Sequence, residues 1–309
     1  MTAGGGPATP DGPVASFLTA LASRGRASNT VAAYGRDLAA YERFLRTRRD
    51  IEADAATNTD VEAFVAYLEQ AGRKRSSIAR ALVSVRAFHR HLVEQGDAAS
   101  DPARSVSSGP VPTAEAAVLD IASVHRLLDG VRGEGPQVRR DRAILELLYG
   151  AALRPSEVVH LDRDDVGLDG IVAVEGRGGT RYVPAGEAAA DAVQAWLAPG
   201  GRGRLAAPGW SAGDDAHALF VNHRGGRLTR QGVWLILRRW AEAVGLPAGL
   251  GPQVLRHSCA AHLAAGGMAP ALVAELLGST GSTGRSGPSA ALVEAHRRLH
   301  PRRRVRAGR

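Results

Sequence analysis

The stretch GDAASDPARSVSSGPVPT, residues 96–113, has no apolar period and is rich in Gly, Pro, Ser and Ala. A chain interrupted in this way folds around two cores. Residues 97–113 read as an interdomain linker between units at 14–96 and 114–303. A length of 309 residues agrees with two domains. Residues 1–13 open with MTAGGGPATPDG and are expected to be disordered. Residues 304–309 form a basic tail, either solvated or touching a phosphate backbone.

Before the break, apolar side chains recur at three- and four-residue steps, the spacing of one helix face. Val31, Tyr34, Leu38, Tyr41 and Leu45 form one such face, with Ser28 or Asn29 as a cap. Val61, Phe64, Val65 and Leu68 form a second, stopped at Gly72. Ile78, Leu82, Val85, Phe88 and Leu92 form a third, stopped at Gly96. The spacing predicts about four helices. One flank is basic, with Arg73, Lys74 and Arg75 followed by Arg80, Arg86 and Arg90. A merely solvated charged face is the alternative reading of that flank.

After the break, LDIASVHRLLDGV predicts a helix capped by Asp120, and residues 139–153 predict a strongly apolar one. Pro155 and Glu157 suit a first helical turn. Residues 170–186 switch to β-branched alternation about a Gly-rich turn, a hairpin signal, with Arg177 and Arg181 at its tip. Thr229 caps a helix whose apolar side runs through Val233, Leu235 and Trp240. Short helices follow at 270–279 and before the tail. The fold class is therefore mainly α, with one small antiparallel sheet in the second unit.

The formal net charge is +8, which favours a polyanionic partner, nucleic acid before membrane. Nearly all the cationic charge is Arg, a bias that genome composition alone can produce; Lys74 is the only Lys. Cys259 is the only Cys, so no intramolecular disulfide and no Cys-based metal cluster is expected. No signal peptide and no bilayer-spanning apolar run is read, and the expected location is the cytoplasm.

Three arginines stand at turns: Arg154 and Arg256 at helix starts, Arg177 on the hairpin. Helix N-termini attract anions through free N–H groups, and an Arg at two of them suits a phosphodiester clamp. Spacing alone does not single them out, and an ion pair with a neighbouring acid is the other reading of Arg154.

Six motifs narrow the choice: LLYGAALRPSEVVHLDRDDV, GRGGTRYVPAG, LFVNHRGGRLTRQGVWLILRRWAEAVGL, VLRHSCAAHLAAGG, ELLGS and ALVEAHRRLHPR. In order and spacing the chain resembles the tyrosine recombinase/phage integrase family, and within it the Xer-like type. The resemblance runs from about residue 14 to 303. It implies a helical SAM-like core-binding domain, then a mostly α catalytic-type domain. It also implies two Arg residues that hold the scissile phosphate and a Tyr that attacks it to form a 3′-phosphotyrosyl bond. A hairpin Lys protonates the leaving 5′-oxygen, and a His-x-x-Arg His assists. A His or Trp after Leu-Gly bonds the phosphate. No metal or other cofactor is implied.

Arg154 in LRPSE and Arg256 in VLRH match the two clamp positions. The other positions depart. The hairpin Lys is Arg177, whose pKa above about 12 makes it a poor proton donor. The His is Gln253, which bonds a phosphate but exchanges no proton near neutral pH; acid–base help is worth roughly 10²–10⁴-fold. The His/Trp position is Ser279. The segment STGSTGRSGPSAALVEAH contains no Tyr, and Arg285 or Ser286 falls near the empty nucleophile position. His257 lies outside the His-x-x-Arg position and reads as a residue that packs or that supports a site residue from behind.

The expectation is a DNA-binding protein on the recombinase scaffold, unable to cleave DNA alone. The alternatives are an active recombinase with a nucleophile supplied in trans and a decaying remnant. The expected DNA-binding residues are Arg73, Lys74, Arg75, Arg80, Arg86, Arg181, Arg227, Thr229 and Arg230. The expected partners are double-stranded DNA and, on it, a second copy or a related active recombinase.

Overall fold

The computed structural model describes residues 12–26, 28–110, 117–176, 179–205, 215–279 and 287–303. Expectations for residues 1–11, 111–113 and 304–309, and for Arg177, Arg285 and Ser286, lie outside the described residues. The chain divides into two compact units, 1–114 and 115–309. It is mainly α with a single two-stranded antiparallel sheet among the described residues, as the periodicity predicts.

The first unit holds α1 (Pro13–Ser23), α2 (Ser28–Phe44), α3 (Asn58–Gln70) and α4 (Arg75–Gln95). α4 stops at Gly96, whose left-handed backbone (φ 81) lets its amide close on the Leu92 and Val93 carbonyls. Leu38, Tyr41, Val61, Phe64, Ile78, Leu82, Val85, Phe88 and Leu92 are buried together. Each fully buried side chain of this size contributes about 1.5–3 kcal/mol.

The linker expectation needs correction where it is described. Ala103 and Val106 are buried in the first core. Arg86, expected to face DNA, donates from Nε to the Ala103 carbonyl (3.1 Å) and from Nη2 to the Val106 carbonyl. Asn58 Nδ2 donates to the Pro102 carbonyl (3.1 Å). Two small apolar anchors are too few to make a period, so the segment looks like linker until its carbonyls find these donors.

The second unit is built on α6 (Pro136–Gly150), preceded by α5 (Ile121–Asp129). Asp120 caps α5 by accepting from the Ser123 amide (2.6 Å). Ile144, Leu145, Leu147, Leu148 and Tyr149 are all fully buried, so α6 is covered on every side. α7 (Pro155–His160) leads to β1 (Ile171–Gly176) and β2 (Gly179–Pro184), paired from Ile171↔Pro184 to Gly176↔Gly179. α8 (Glu187–Leu197) and α9 (Arg202–Leu205) follow.

Then come α10 (Arg230–Ala243), α11 (Gln253–Ala265), α12 (Pro270–Leu277) and α13 (Ala290–Leu299). Thr229 caps α10 by accepting from the Gly232 amide (3.1 Å). Leu235, expected on its apolar side, is exposed, while Val233, Ile236, Leu237 and Ala241 are buried. Two residues after Val233 a helix has turned by about 200°, so the two side chains cannot share a face. α13 is fastened by His296, whose Nε2–H donates to the Gly150 carbonyl (2.7 Å), and His300 stacks on that ring at 4.6 Å. Among the described residues no helix is long and apolar enough to cross a membrane.

Candidate functional site

α6 ends in a short turn in which Ala152 takes a left-handed backbone (φ 49), a conformation that costs a non-glycine residue about 1 kcal/mol or more. The turn delivers Arg154 in extended form to the start of α7, where Pro155 takes the first helical position. The Arg154 amide donates to Glu157 Oε2 (2.7 Å) and its Nη1 to Glu157 Oε1 (2.7 Å). The ion-pair reading of Arg154 is thus realised within α7, yet its side chain stays 42% exposed.

Two further guanidinium groups meet the same carboxylate. Arg181 on β2 donates Nη1 to Oε1 (2.8 Å) and Nη2 to Oε2 (2.9 Å), a bidentate fork. Arg256 on α11 brings Nη1 within 3.7 Å of Oε2. Its own hydrogen bonds run to the Ala152 carbonyl (2.5 Å, Nη1) and the Leu277 carbonyl (2.7 Å, Nη2). Arg154 Nη2 also reaches the Leu277 carbonyl, at 3.5 Å. The two arginines at helix starts therefore converge on one backbone oxygen at the end of α12.

Three guanidinium groups against one carboxylate leave a positive excess. Burial alone would raise the Glu157 carboxyl. The hydrogen bonds from Arg181 and Arg154 outweigh it and hold the group below its ordinary value, hence ionised. Burial, then Arg154 and Arg181, push the Arg256 guanidinium down to about 10 against the pull of Glu157. It remains charged at neutral pH.

Gly278 completes the enclosure. Its backbone is left-handed (φ 65), and a Cβ there would lie 2.8 Å from Arg181 Cδ. Ser279 follows at once, exposed, with its amide bonded to the Ala274 carbonyl (2.9 Å). Gln253, the first residue of α11, is exposed one turn before Arg256, and His257 beside it is half-buried.

The expected DNA-contact residues divide into two groups. Arg73, Lys74, Arg75, Thr229 and Arg230 are exposed at the starts of α4 and α10. Arg80 is exposed but paired with Asp37 (2.9 Å). Arg181 is not at the hairpin tip: it pairs with Val174 in register and is buried on the same strand face as Val183. Arg227 is half-buried and donates to the Val159 and Leu161 carbonyls (3.2 Å each) and to Asp162 (2.5 Å). Carbonyls and carboxylates within the fold take up Arg86, Arg181 and Arg227 before any external anion can.

The acceptor at the centre, Glu157, is read from sequence only as a first-turn acid. Alternation along β2 does carry a signal for Arg181, which stands two residues from buried Val183.

The phage integrase family model matches residues 117–282, and the phage integrase N-terminal SAM-like domain matches residues 14–96. The chain is 38% identical to tyrosine recombinase XerD of Bifidobacterium longum, over 91% of this chain and 94% of that protein. It is 39% identical to tyrosine recombinase XerD of Mycobacterium tuberculosis, with the same shares. In fold it is similar to the Tn1549 transposon integrase in complex with a circular intermediate DNA. That match has a TM-score of 0.69 and 18% identity, covering 88% of this chain and 92% of that one. It is also similar to a lambda integrase dimer bound to a COC′ core site, at TM-score 0.66 and 16% identity, covering 90% and 98%. With both domains matched in order and relatives above 30% identity along nearly its whole length, the chain belongs to the tyrosine recombinase family of site-specific DNA recombination.

Proposed function

We propose that this chain binds duplex DNA in the cytoplasm and holds one backbone phosphate between Arg154 and Arg256 without cutting the strand by itself. The observation that carries the reading is the convergence of both guanidinium groups on the Leu277 carbonyl beside Glu157. A phosphate oxygen is a stronger acceptor than a carbonyl and adds charge to the interaction. Arg154, the more exposed of the two, makes the first contact.

The same site is poor in proton chemistry. Gln253 offers a hydrogen bond but no titration near neutral pH. Ser279 offers a hydroxyl where the family resemblance implies a His or Trp. Arg177, next after Gly176 in the sequence, carries charge but does not release a proton readily. No Tyr stands between Tyr182 and Arg309, so the stretch from Ser279 to Arg309 offers no phenol for the phosphotyrosyl bond. Binding therefore survives and strand transfer does not. The exposed starts of α4 and α10 supply sequence-independent phosphate contacts that set register on the duplex. On the DNA the chain stands beside a second copy or a related recombinase that carries the Tyr.

A nicked suicide duplex tests this directly. The reading predicts a salt-sensitive gel shift and no covalent adduct on a denaturing gel. A covalent adduct overturns the non-cleaving reading, and no binding at low salt overturns DNA binding altogether.

A further inference from the structure

Glu157 is over-subscribed, and the allocation of its oxygens matters. A carboxylate has two oxygens and about four lone-pair sites. Arg181 occupies one site on each oxygen, and the Arg154 amide and Nη1 take one each. Arg256 stands at 3.7 Å, outside hydrogen-bond distance, and turns to carbonyls instead. Arg181 is itself 9% exposed, with both Nη groups on Glu157 and a buried Nε that has no partner. It has no route to an external phosphate. Its stem lies against Gly278, where even a methyl group would intrude.

We infer that Arg181 is a positioning residue for the phosphate clamp: by holding Glu157 bidentately it limits the Arg154 side chain to one bond with that carboxylate and keeps the rest of the guanidinium available to DNA. The inference rests on the clamp reading above. Without Arg181, both Glu157 oxygens open to Arg154. The neighbouring guanidinium folds back into its own bidentate pair, and the exposed cation is withdrawn. Lys at 181 keeps the charge but not the planar fork, so it does not restore the allocation.

The test is a double-mutant cycle on the full-length chain, read as Kd for a nonspecific 30-base-pair duplex at low salt. Arg154→Ala is made alone and in Arg181→Met and Arg181→Lys backgrounds, with thermal melts confirming that each variant folds. Arg154→Ala is expected to weaken binding about tenfold alone and by less than about threefold in either background. Equal weakening in all three backgrounds overturns the positioning role while leaving the clamp intact. No weakening from Arg154→Ala in the otherwise unchanged chain overturns the clamp itself, and the positioning role with it. Should Arg181→Met fail to fold, the Lys background carries the comparison.

Discussion

Glu157 gives both carboxylate oxygens to Arg181, at 2.8 and 2.9 Å, and so joins α7 to β2 through a buried ion pair. Removing one partner of such a pair strands the other charge away from water, which costs about 3–5 kcal/mol. Glu157→Gln is therefore expected to lower unfolding stability at pH 7 by an amount of that order. The pH dependence follows from the direction of the shift. The folded carboxyl lies below its ordinary 4.5, so its contribution is present above about that pH and is lost as pH falls through the folded value. Urea denaturation should show the two proteins diverging at pH 7 and converging in acid. A constant difference at every pH would refute the assignment.

Gly278 is held by two requirements, a left-handed backbone and the closeness of Arg181. Gly278→Ala should cost more than about 1 kcal/mol, because alanine gains nothing where φ is positive. Because the methyl also displaces Arg181, DNA affinity should fall along with the melting temperature. Loss of stability with unchanged affinity would separate the glycine from the clamp.

The basic flank of the first unit can be divided by salt titration. Ala at Arg73, Lys74 or Arg75 should each reduce the slope of log K against log salt by about one. Arg86→Ala should leave the slope unchanged and destabilise the unit by about 1–3 kcal/mol, since its charge serves the Ala103 and Val106 carbonyls. A slope change for Arg86→Ala would mean that it does touch phosphate.

Acid should loosen α13. Burial above all, and the neighbouring His296, push His300 down to about 3, and burial pushes His296 down as well. Folded values below 6.5 mean that the unfolded chain takes up protons first. Their contribution to stability is then flat above about pH 6.5 and falls below it, by up to about 1.4 kcal/mol per pH unit for each group. His300→Phe should flatten that limb of the curve in chemical denaturation. An unaltered acid limb would show that His300 is not its source.

Restoring proton chemistry tests the reading from the other side. A variant carrying Arg177→Lys, Gln253→His, Ser279→His and Ser286→Tyr together is expected to form a covalent adduct on a nicked suicide duplex. Ser286→Tyr alone is expected to be far slower, since general acid–base help is worth roughly 10²–10⁴-fold. Equal rates for the two would show that Gln253 and Arg177 are not what limits cleavage.

Much of the scaffold is legible in the sequence because it rests on periodicity and caps. The buried faces of α2 to α4, the Asp120 and Thr229 caps, and Pro155 at the head of α7 all follow from local chemistry. What local chemistry does not carry is where a guanidinium finds its acceptor. Arg86 and Arg227 look in the sequence like any surface cation, and only the alternation with Val183 sets Arg181 apart. Their targets are 20 or more residues away for most of their bonds, and several of those targets are backbone carbonyls with no sequence signature. Leu235 is a simpler case: the helix is legible, but its buried side runs through Ile236 and Leu237 instead.

Arg256 spends its hydrogen bonds on the Ala152 and Leu277 carbonyls, deep in the second unit, whereas Gln253 and Ser279 stand in solvent. This sets an order in which such a site can be taken apart over generations. Solvent-facing acids and bases can be exchanged with little thermodynamic penalty, while the buried guanidinium cannot leave without unsettling the turn after α6 and the end of α12. A lineage relieved of strand cleavage would shed its proton carriers first and keep its anion cradle longest, because the cradle is also part of the fold.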